Sequence, residues 1–423
     1  MTPEKELELK CHRAKESSRT LSYMDTTVKD TALRNIADDL EKGQASILEA
    51  NTIDQAEARA SGMSVSMFDR LILTEARIKA IAADIRSVAA FPDPVGEIFD
   101  MRTHANGLVI GKKRVPLGVI AAIYESRPNV TVDITALCLK AGNAVILRGG
   151  KETLNSNRVL VNIIHTALER SGIDPNTVQF IDNTDRALVA HLLHMSDCID
   201  LVIPRGGAGL IKSVKETSTI PVVAGGIGVC HTYVDAAAKI DDAVAIAYNA
   251  KVQRPTVCNA MDTLLVHESI AGAYLPKIAA EWAKAGVEMR CNAQAMEILT
   301  GLSGLQLVAA QDEDWGREYL ALIAGVKIVS SLEEALDHIS TYGSGHSEAI
   351  ITEDYSNAQR FLNEVDAAAV YVNASTRFTD GSQFGLGAEI GISTQKMHAR
   401  GPLGLKEITS YKWLVYGSGQ IRP

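Results

Sequence analysis

One cysteine, Cys258, stands where a thiol could act as a nucleophile. It lies between a helical pattern that stops before Pro255 and a β-rich run, Thr263–Val266. A turn between two rigid elements presents a reactive group well. Because nearby cations favour the nucleophilic thiolate, the upstream residues Lys251 and Arg254 point to a reactive thiol. The alternative is a buried structural cysteine, the usual fate of a free thiol, but the polar flanks fit a dry core poorly.

The elements that must position this turn have an α/β pattern. Short apolar strands alternate with helices from residue 119 to 223, and a second alternating series follows Asp235. Such a pattern predicts parallel sheets covered on both faces, and dinucleotides bind outside the carboxyl ends of their strands. The predicted strands are Val119–Tyr124, Ala144–Leu147, Val178–Ile181, Leu201–Ile203, Pro221–Val223, Thr263–Val266, Val326–Val329, Glu348–Ile351 and Ala369–Val372.

Two stretches stand apart from these series. Residues 4–91 carry apolar positions at helical spacing and predict a solvated layer of helices. The dipeptide Asn106-Gly107 predicts a type I′ hairpin, in an arm at about residues 98–117. The C-terminal stretch from Ile408 to Val415 has strand character.

Three separated blocks carry a family signature. The first reads N-A-K-x-Q-R-P-x-x-C-N from Asn249 to Asn259, and the second lies between Val329 and Ile350, with Y-G-S at 342–344 and H-S-E at 346–348. The third runs from Tyr371 to Pro402. Together they resemble the γ-glutamyl phosphate reductase family of the aldehyde dehydrogenase superfamily over nearly the whole chain. One departure is Asp262, where the family carries Glu, so the charge is kept.

The resemblance implies an aldehyde-dehydrogenase-like α/β fold of two doubly wound parallel-sheet domains plus a small β oligomerisation arm. A cofactor-binding domain is expected at 1–235, with the arm at about 98–117. The catalytic domain carrying Cys258 is expected at 236–375. Residues 376–423 are expected to return to the cofactor domain and to supply a C-terminal oligomerisation strand. A homo-oligomer follows, unless the arm packs on its own domain.

The resemblance also assigns an oxyanion stabiliser. The turn Arg127-Pro-Asn-Val130 follows the first strand of the cofactor domain and is similar to the superfamily turn that supplies a side-chain amide. Asn129 is therefore expected to act with the backbone N–H of Cys258 as a catalytic oxyanion donor. The alternative is that Asn129 caps a helix starting near Thr131.

Four residues are expected to bind the cofactor. Lys151 resembles the superfamily lysine that holds the adenosine ribose, and because a lysine can also contact a 2′-phosphate, the resemblance favours NADPH/NADP. Gly206 and Gly207 end a strand and could line the pyrophosphate, although no full G-x-G-x-x-G is present and ordinary loop glycines are the alternative. Glu389 resembles the glutamate that grips the nicotinamide ribose, and a solvated carboxylate is its alternative.

A missing carboxylate bears on the reaction type. Aldehyde-oxidising relatives carry a glutamate that activates water against the thioester. The corresponding turn here, residues 223–228, reads V-A-G-G-I-G and has no acid. Without a general base the thioester should survive long enough to accept hydride. This favours an acyl phosphate reductase.

An anionic substrate should be met by cations and polar groups. The predicted substrate-binding residues are Arg254, Asn373, Ser375 and Arg377, since Arg suits bidentate recognition of oxyanions. Each of them could instead be structural. His346 and His398 stay unassigned, and the histidines show no metal-ligand spacing, so no metal is predicted.

Composition limits the class of protein. The chain has 423 residues, 46% hydrophobic residues and a formal charge of −9, which argues against nucleic acid or an anionic membrane as the main partner. Six scattered cysteines without C-x-x-C pairs indicate reduced thiols. With no signal peptide visible at the N-terminus, a cytoplasmic location is expected.

The expected reaction is NADPH-dependent reduction of γ-glutamyl phosphate to glutamate 5-semialdehyde through a cysteine thioester, the second step of proline biosynthesis. The acyl phosphate would come from a separate glutamate 5-kinase, with which transient association is expected. A cysteine hydrolase or acyltransferase belongs to a different class of protein, and it needs an activating histidine that the sequence does not place. The sequence also leaves open a non-catalytic scaffold and an aldehyde-oxidising dehydrogenase.

Overall fold

The computed structural model of the chain describes residues 1–422, with the side chains of all of these except Val65 and Ser66. The chain divides into two units. Unit 1 comprises Met1–Gly225, Gly385–Gly391 and the segment from Leu403 onward, and unit 2 comprises Gly226–Phe384 and Ile392–Pro402.

Unit 1 begins with five helices and continues with alternating strands and helices. The helices are α1 (Pro3–Leu21), α2 (Thr26–Lys42), α3 (Gln44–Ala60), α4 (Val65–Leu71), α5 (Glu75–Ala90), α6 (Pro128–Lys140), α7 (Leu154–Arg170), α8 (Arg186–Leu192) and α9 (Ala208–Thr217). Its strands are β1 (Ile98–Thr103), β2 (Val109–Pro116), β3 (Val119–Tyr124), β4 (Ala144–Arg148), β5 (Val178–Phe180), β6 (Leu201–Arg205) and, from the end of the chain, β16 (Thr409–Tyr416). Short 3₁₀ turns occupy Lys151–Thr153 and Pro175–Thr177.

The main sheet of unit 1 is parallel, with strand order β5-β4-β3-β6. All six residues of β3 are buried, as its unbroken apolar sequence predicts for a strand covered on both faces. The strand predicted at Pro221–Val223 is reduced to a single bridge between Val222 and Val202. Leu7, Cys11 and Ala14 of α1 belong to the core of this sheet, so the first helix is part of its packing.

The arm is an antiparallel sheet in the order β1-β2-β16. The N–H of Gly107 donates to the carbonyl of His104, and Gly107 has φ +85° while Asn106 does not have positive φ. A type I′ turn needs positive φ at both central residues, so that prediction is wrong. The hairpin loop instead follows the longer pattern that places one glycine in the left-handed region.

Unit 2 is built around one large sheet. Its strands are β7 (Cys230–Val234), β8 (Met261–His267), β9 (Glu288–Cys291), β10 (Gln306–Ala309), β11 (Ile323–Val329), β12 (Ser347–Ile351), β13 (Ala369–Val372), β14 (Ile392–Ser393) and β15 (Gly401–Pro402). Its helices are α10 (Ile240–Val252), α11 (Glu268–Ala285), α12 (Ala293–Leu299), α13 (Leu332–Tyr342) and α14 (Tyr355–Glu364), with 3₁₀ turns at Asp312–Asp314 and Thr376–Phe378.

Seven of these strands form a parallel sheet in the order β10-β9-β11-β8-β7-β12-β13. Strands β7, β9 and β10 were not predicted. Polar residues interrupt β7, which reads C-H-T-Y-V and is nevertheless fully buried, and β9 and β10 have only four residues each. Short strands without a long apolar run give a weak sequence signal.

The unit boundaries differ from the predicted ones. The first boundary lies after Gly225 instead of at 235, because β7 pairs with β8 and β12. Residues 376–384 and 392–402, which were expected to return to the cofactor domain, belong to unit 2. Among the described residues no helix has both the length and the apolar character needed to cross a membrane.

Candidate active site

Cys258 lies in the turn between α10 and β8, as predicted, and its residue is partly exposed. Among the six free cysteines it is the only one that is not buried. The helix runs to Val252, and Pro255 cannot supply an N–H to continue it. Local sequence therefore fixes where the helix ends and presents the thiol outside the dry core.

A histidine contacts this cysteine. Nε2 of His346 lies 3.2 Å from Sγ of Cys258. Cys258 precedes β8, His346 precedes β12, and Cys230 is the first residue of β7. Because these strands are neighbours and parallel, their amino ends meet at one edge of the sheet. The sequence left His346 unassigned, and its place in the H-S-E block was the signal that pointed toward it.

The surroundings keep His346 neutral. Burial lowers the pKa of His346 to about 4, so the imidazole carries no charge at pH 7. Cys230 donates its S–H to the carbonyl oxygen of Cys258 at 3.2 Å and lies 3.8 Å from Nδ1 of His346. Burial raises the pKa of Cys230 well above its ordinary value, so Cys230 stays a thiol. Cys258 and His346 are thus a close pair without an imidazolium.

The residue after Cys258 anchors the turn. The Asn259 amide donates to the carbonyl oxygens of Thr379 at 2.8 Å and Arg377 at 3.3 Å. The hydroxyl of Thr376 donates to the Asn259 carbonyl at 2.8 Å, and the Arg377 guanidinium donates to the Asn259 side-chain oxygen. The turn is therefore tied to the segment 376–379, which explains why that segment belongs to unit 2.

Two of the predicted substrate-binding residues bring positive charge to this region. Burial lowers the pKa of Arg377, the neighbouring Arg254 cation lowers it further, and the Cys258 side chain acts in the opposite direction. Arg254 is exposed, and Arg377 is half-buried with its Nε donating to Gln253 at 2.9 Å. Two adjacent guanidinium groups near Cys258 suit a multiply charged anion.

The other two predicted substrate residues have structural contacts. Asn373, at φ +53°, accepts from the N–H of Thr352 and donates to its carbonyl, both at 2.9 Å. The Ser375 hydroxyl accepts from the N–H of Arg377 at 3.3 Å and starts a 3₁₀ turn. These hydrogen bonds hold the backbone of the loop, which is a sufficient structural reason for both side chains. Their contact with a substrate stays a prediction.

Lys251 is engaged elsewhere. Its Nζ lies 3.7 Å from a carboxylate oxygen of Asp262, and both side chains are buried. Burial lowers the pKa of Lys251 and raises the pKa of Asp262 to about 6. Asp262, the departure from the family pattern, is therefore the partner of this lysine. Lys251 is paired with Asp262, whereas Arg254 and Arg377 are the predicted substrate-binding cations in the region of Cys258.

The turn that lacks a carboxylate, residues 223–228, lies against Cys258 at Gly228. A Cβ placed at Gly228 would overlap the carbonyl oxygen of Cys258. An acid reaches this turn from another part of the chain, because the N–H of Gly228 donates to Oε1 of Glu318 at 2.9 Å. The sequence of the turn gives no sign of Glu318, because this residue lies 90 residues away along the chain.

A side chain at Gly228 should displace the nucleophile. We expect Gly228→Ala to lower turnover by roughly 10²-fold or more, because a shift of about 1 Å at a reacting atom has an effect of that size. Steady-state kinetics of the purified variant checks this. The matched control is Gly272→Ala in α11, where no atom lies within 4 Å of the new Cβ. It should turn over normally, and equal rates for both variants would contradict the close approach.

Asn129 lies in unit 1, inside α6 and not before it. The helix begins at Pro128 with Arg127 as its N-cap, so the prediction that Asn129 caps the helix is wrong. Its amide nitrogen donates to Oδ2 of Asp133, one helical turn later, at 2.8 Å. An amide nitrogen carries two N–H donors, so this bond orients the group and leaves one donor for an oxyanion.

The predicted cofactor residues all belong to unit 1. Exposed Lys151 follows β4, and Gly206 and Gly207 follow β6, so they share the carboxyl edge of the parallel sheet. A Cβ at Gly391, two residues after Glu389, would lie 2.5 Å from the guanidinium of Arg205, the last residue of β6. The segment that carries Glu389 thus contacts the side chain of a residue at this edge, and the contact of Glu389 itself with a cofactor stays a prediction.

A carboxylate that the sequence did not single out also lies at this edge. Glu125 accepts the N–H of Gly207 at 2.8 Å, at the start of α9. A pyrophosphate on Gly207 would have to replace Glu125, so the pyrophosphate contact of Gly206 and Gly207 stays a prediction. The first turn of α9 is open, since no atom lies within 4 Å of a Cβ placed at Gly209.

Three possible metal ligands lie close together in the structure, although their spacing in the sequence did not indicate a metal site. Ligand atoms of His12, Asp197 and Cys198 lie within 4.8 Å of one another, with His12 and Asp197 exposed. Sγ of Cys198 is 3.1 Å from Nδ1 of His12 and 3.4 Å from a carboxylate oxygen of Asp197. These hydrogen-bond contacts account for the group without an ion.

Comparison with known proteins places the chain in a family. The family model described as "Aldehyde dehydrogenase family" matches residues 2–296. The chain is 69% identical to the γ-glutamyl phosphate reductase of Dehalococcoides mccartyi, over 99% of this chain and 98% of that one. It is 53% identical to the γ-glutamyl phosphate reductase of Clostridium tetani, over 97% of each.

Solved structures of similar proteins support the same family. The crystal structure of a γ-glutamyl phosphate reductase from Thermotoga maritima superposes with a TM-score of 0.95 at 48% identity, over 99% of this chain and 100% of that one. An acetylating aldehyde dehydrogenase from Geobacillus thermoglucosidasius, 19% identical with a TM-score of 0.70, shares the fold. The predicted aldehyde-dehydrogenase-like α/β fold with parallel sheets is confirmed. The chain belongs to the γ-glutamyl phosphate reductases, within the aldehyde dehydrogenase family.

Proposed function

We propose that the protein reduces γ-glutamyl phosphate to glutamate 5-semialdehyde and phosphate with NADPH, as the second step of proline biosynthesis. The observation that carries this proposal is the nucleophile itself. In a chain of this family, the one partly exposed cysteine stands on a turn, 3.2 Å from a histidine nitrogen and near two arginines.

The first step is acyl transfer to sulfur. The thiolate of Cys258 attacks the carbonyl carbon of the acyl phosphate, a C–S bond forms, and the C–O bond to phosphate breaks with its electron pair leaving on phosphate. Asn129 and the backbone N–H of Cys258 hold the oxyanion that develops on the carbonyl oxygen. Arg254 and Arg377 bind the phosphoryl group and stabilise its charge as it leaves.

The second step reduces the thioester. When bound, the reduced nicotinamide supplies the hydride that this step needs. The donor set at the carboxyl edge of the unit 1 sheet fits such a dinucleotide: Lys151 is an exposed cation, the first turn of α9 is open at Gly209, and Glu389 can accept from ribose hydroxyls. Lys151 would hold the adenosine ribose, and its cation would favour a 2′-phosphate there. The thiohemiacetal then collapses, releasing the aldehyde and Cys258.

Two observations favour a second candidate function, hydrolysis of the thioester. The Cys258–His346 contact supplies the histidine that a cysteine hydrolase needs, and Glu318 places a carboxylate on the turn that packs against the nucleophile. Glu318 accepts the N–H of Gly228, so its function in the structure is to hold that turn. We therefore propose that no general base activates water against the thioester. In the reverse direction phosphate attacks the thioester carbonyl, a C–O bond forms, and the C–S bond breaks with its electron pair returning to the sulfur of Cys258.

The test is the reverse reaction. The protein is mixed with glutamate 5-semialdehyde and NADP⁺, and NADPH absorbance is followed with and without phosphate or arsenate. We expect turnover to depend strictly on the oxyanion. Equal turnover without it would mean that water reaches the thioester and would assign an aldehyde-oxidising dehydrogenase. Glu318→Gln is then the variant that asks whether Glu318 is the base.

The same assay tests the arginines. Arg254→Ala should raise the phosphate concentration needed for half-maximal rate by roughly tenfold, as expected for losing one charge-assisted contact. The control is Arg360→Ala, a surface arginine paired with Glu333 and Glu364 in α13 and α14. Because exposed ion pairs contribute little, this variant should keep the wild-type phosphate dependence.

Assembly is also proposed. The outer strand of the arm, β16, exposes Trp413 at 56% and Val415 at 57%, and Tyr411 lies on the same face of the strand. An exposed aromatic row of this kind is typical of an interface. We propose that the arm joins copies of the chain in a homo-oligomer. γ-Glutamyl phosphate would be delivered by a transiently associated glutamate 5-kinase, in a cytoplasm that keeps the six thiols reduced.

A further inference from the structure

A chain of three hydroxyl groups leads away from His346. Nδ1 of His346 is 2.8 Å from Oγ of Ser347, which is 2.6 Å from Oγ1 of Thr379. Oγ1 of Thr379 is in turn 2.7 Å from the phenol oxygen of Tyr371. Ser347 and Thr379 are fully buried, and Tyr371 is half-buried at the outer end. Cys258, His346 and these hydroxyls thus form one continuous hydrogen-bonded line.

The direction of the protons along this line can be assigned. A hydroxyl has one proton, so Thr379 must accept from one neighbour and donate to the other. A phenol is a better donor and a poorer acceptor than an alkyl hydroxyl, and burial keeps the Tyr371 proton in place by raising the pKa of the phenol to about 12. Tyr371 therefore donates to Thr379, Thr379 to Ser347, and Ser347 to Nδ1 of His346.

This direction decides which ring nitrogen carries the proton. A neutral imidazole has one N–H and one acceptor nitrogen. If Nδ1 accepts from Ser347, the proton is on Nε2, which faces the sulfur of Cys258. The opposite direction would put the proton on Nδ1, and the phenol proton of Tyr371 would then have no acceptor among the residues that the structure describes.

We propose that Tyr371, Thr379 and Ser347 are positioning residues that hold His346 as its Nε2–H tautomer, so that a neutral imidazole donates a hydrogen bond to the Cys258 thiolate. The proposal rests on the proposed function only in taking Cys258 as the nucleophile. It gives His346 the role of a thiolate-stabilising donor instead of a base. The low pKa of His346 agrees with this, because a donor need not become charged.

Within the part of the chain that the structure describes, two thiols are the titratable groups that face the imidazole. Cys258 contacts Nε2, and Cys230 lies 3.8 Å from Nδ1 with its proton directed to the Cys258 carbonyl. The Cys230 thiol therefore donates to neither ring nitrogen. The hydroxyl chain is what distinguishes the two nitrogens from each other.

The tautomer can be observed directly. The full-length protein is labelled with ¹⁵N-histidine, and long-range ¹H–¹⁵N correlations are recorded at pH 7, with His346→Gln to assign the ring. We expect the pattern of the Nε2–H tautomer for His346 in the wild type. A ring protonated on Nδ1 would overturn the proposal, and so would a doubly protonated ring.

The effect on sulfur is measured by alkylation. Iodoacetamide labelling of Cys258 is followed by mass spectrometry across pH, which needs neither substrate nor cofactor and so stands apart from any failure of the reductase assay. In Tyr371→Phe and Thr379→Val we expect the midpoint to move toward that of a free thiol, near pH ~8.5, and labelling at pH 7 to slow roughly fivefold.

Two controls separate positioning from loss of structure. Thr379→Ser keeps the hydroxyl and should restore the wild-type pH profile. Tyr342→Phe removes a phenol from a half-buried tyrosine at the end of α13 and should leave the profile unchanged. If folded Tyr371→Phe and Thr379→Val both label with the wild-type profile, the hydroxyl chain does not act on Cys258 and the proposal fails.

Discussion

Replacing Cys258 with alanine should lower the reductase rate by at least about 10⁴-fold, because no other group can form the thioester. The structure supports this size of effect. Among the six thiols only Cys258 is partly exposed, and burial raises the pKa of the neighbouring Cys230 thiol well above its ordinary value. Cys258→Ser should be nearly as inactive, since an alkyl hydroxyl at this site is far less acidic than a thiol.

The measurement is the rate of NADPH oxidation, together with binding of NADPH followed by its fluorescence. Binding should survive in Cys258→Ala, because the predicted cofactor residues belong to unit 1. The matched control is Cys291→Ala, a buried thiol in β9 that should keep its rate within about twofold. Retained turnover in Cys258→Ala would reject the covalent mechanism.

The second large effect is expected at Asn129. Asn129→Ala should lower kcat by about 10²- to 10³-fold, the range found when one oxyanion donor is removed. KM should change little, because the interaction forms as charge develops in the transition state. Steady-state kinetics in the reductive direction separates the two constants.

Asp133 provides the control for Asn129, because the Asn129 amide is oriented by a bond to Asp133. Asp133→Asn keeps an oxygen acceptor of the same shape and should cost less than about tenfold. Burial raises the pKa of Asp133 to about 6, so this carboxylate titrates near neutral pH and the variant also removes any pH dependence that it causes. If Asn129→Ala lost no more activity than Asp133→Asn, Asn129 would be a helix residue without a part in the chemistry.

Sequence-based predictions were most accurate for features that depend on residues close together in the chain. The strand Val119–Tyr124 was predicted with its observed bounds, because an unbroken apolar run of six residues has few other ways to be buried. The position of Cys258 on a turn followed from Pro255 and from the β-rich run after it. The family also followed from residues close together in the chain, since each of its motifs is a continuous block.

Other features could be recognised only in the folded structure, because they depend on contacts between distant residues or on the backbone conformation. The sequence of β7 mixes polar and apolar residues, so only its neighbours β8 and β12 make it a central strand. For the same reason the first unit ends at Gly225, before β7, and not at the predicted residue 235. The type I′ turn failed because the backbone at Asn106 did not adopt the conformation that its residue type permits.

By itself the sequence determined the fold class and the family and predicted Cys258 as the nucleophile, because each rests on residues that are near one another along the chain. Only the tertiary structure decided which groups lie around Cys258: His346, 88 residues away, contacts its sulfur, and Glu318 supports the glycine turn beside it. The reason is topological. Parallel strands return their amino ends to one edge after long crossovers, so the groups that lie around Cys258 come from segments whose separation in sequence gives no sign of their contact.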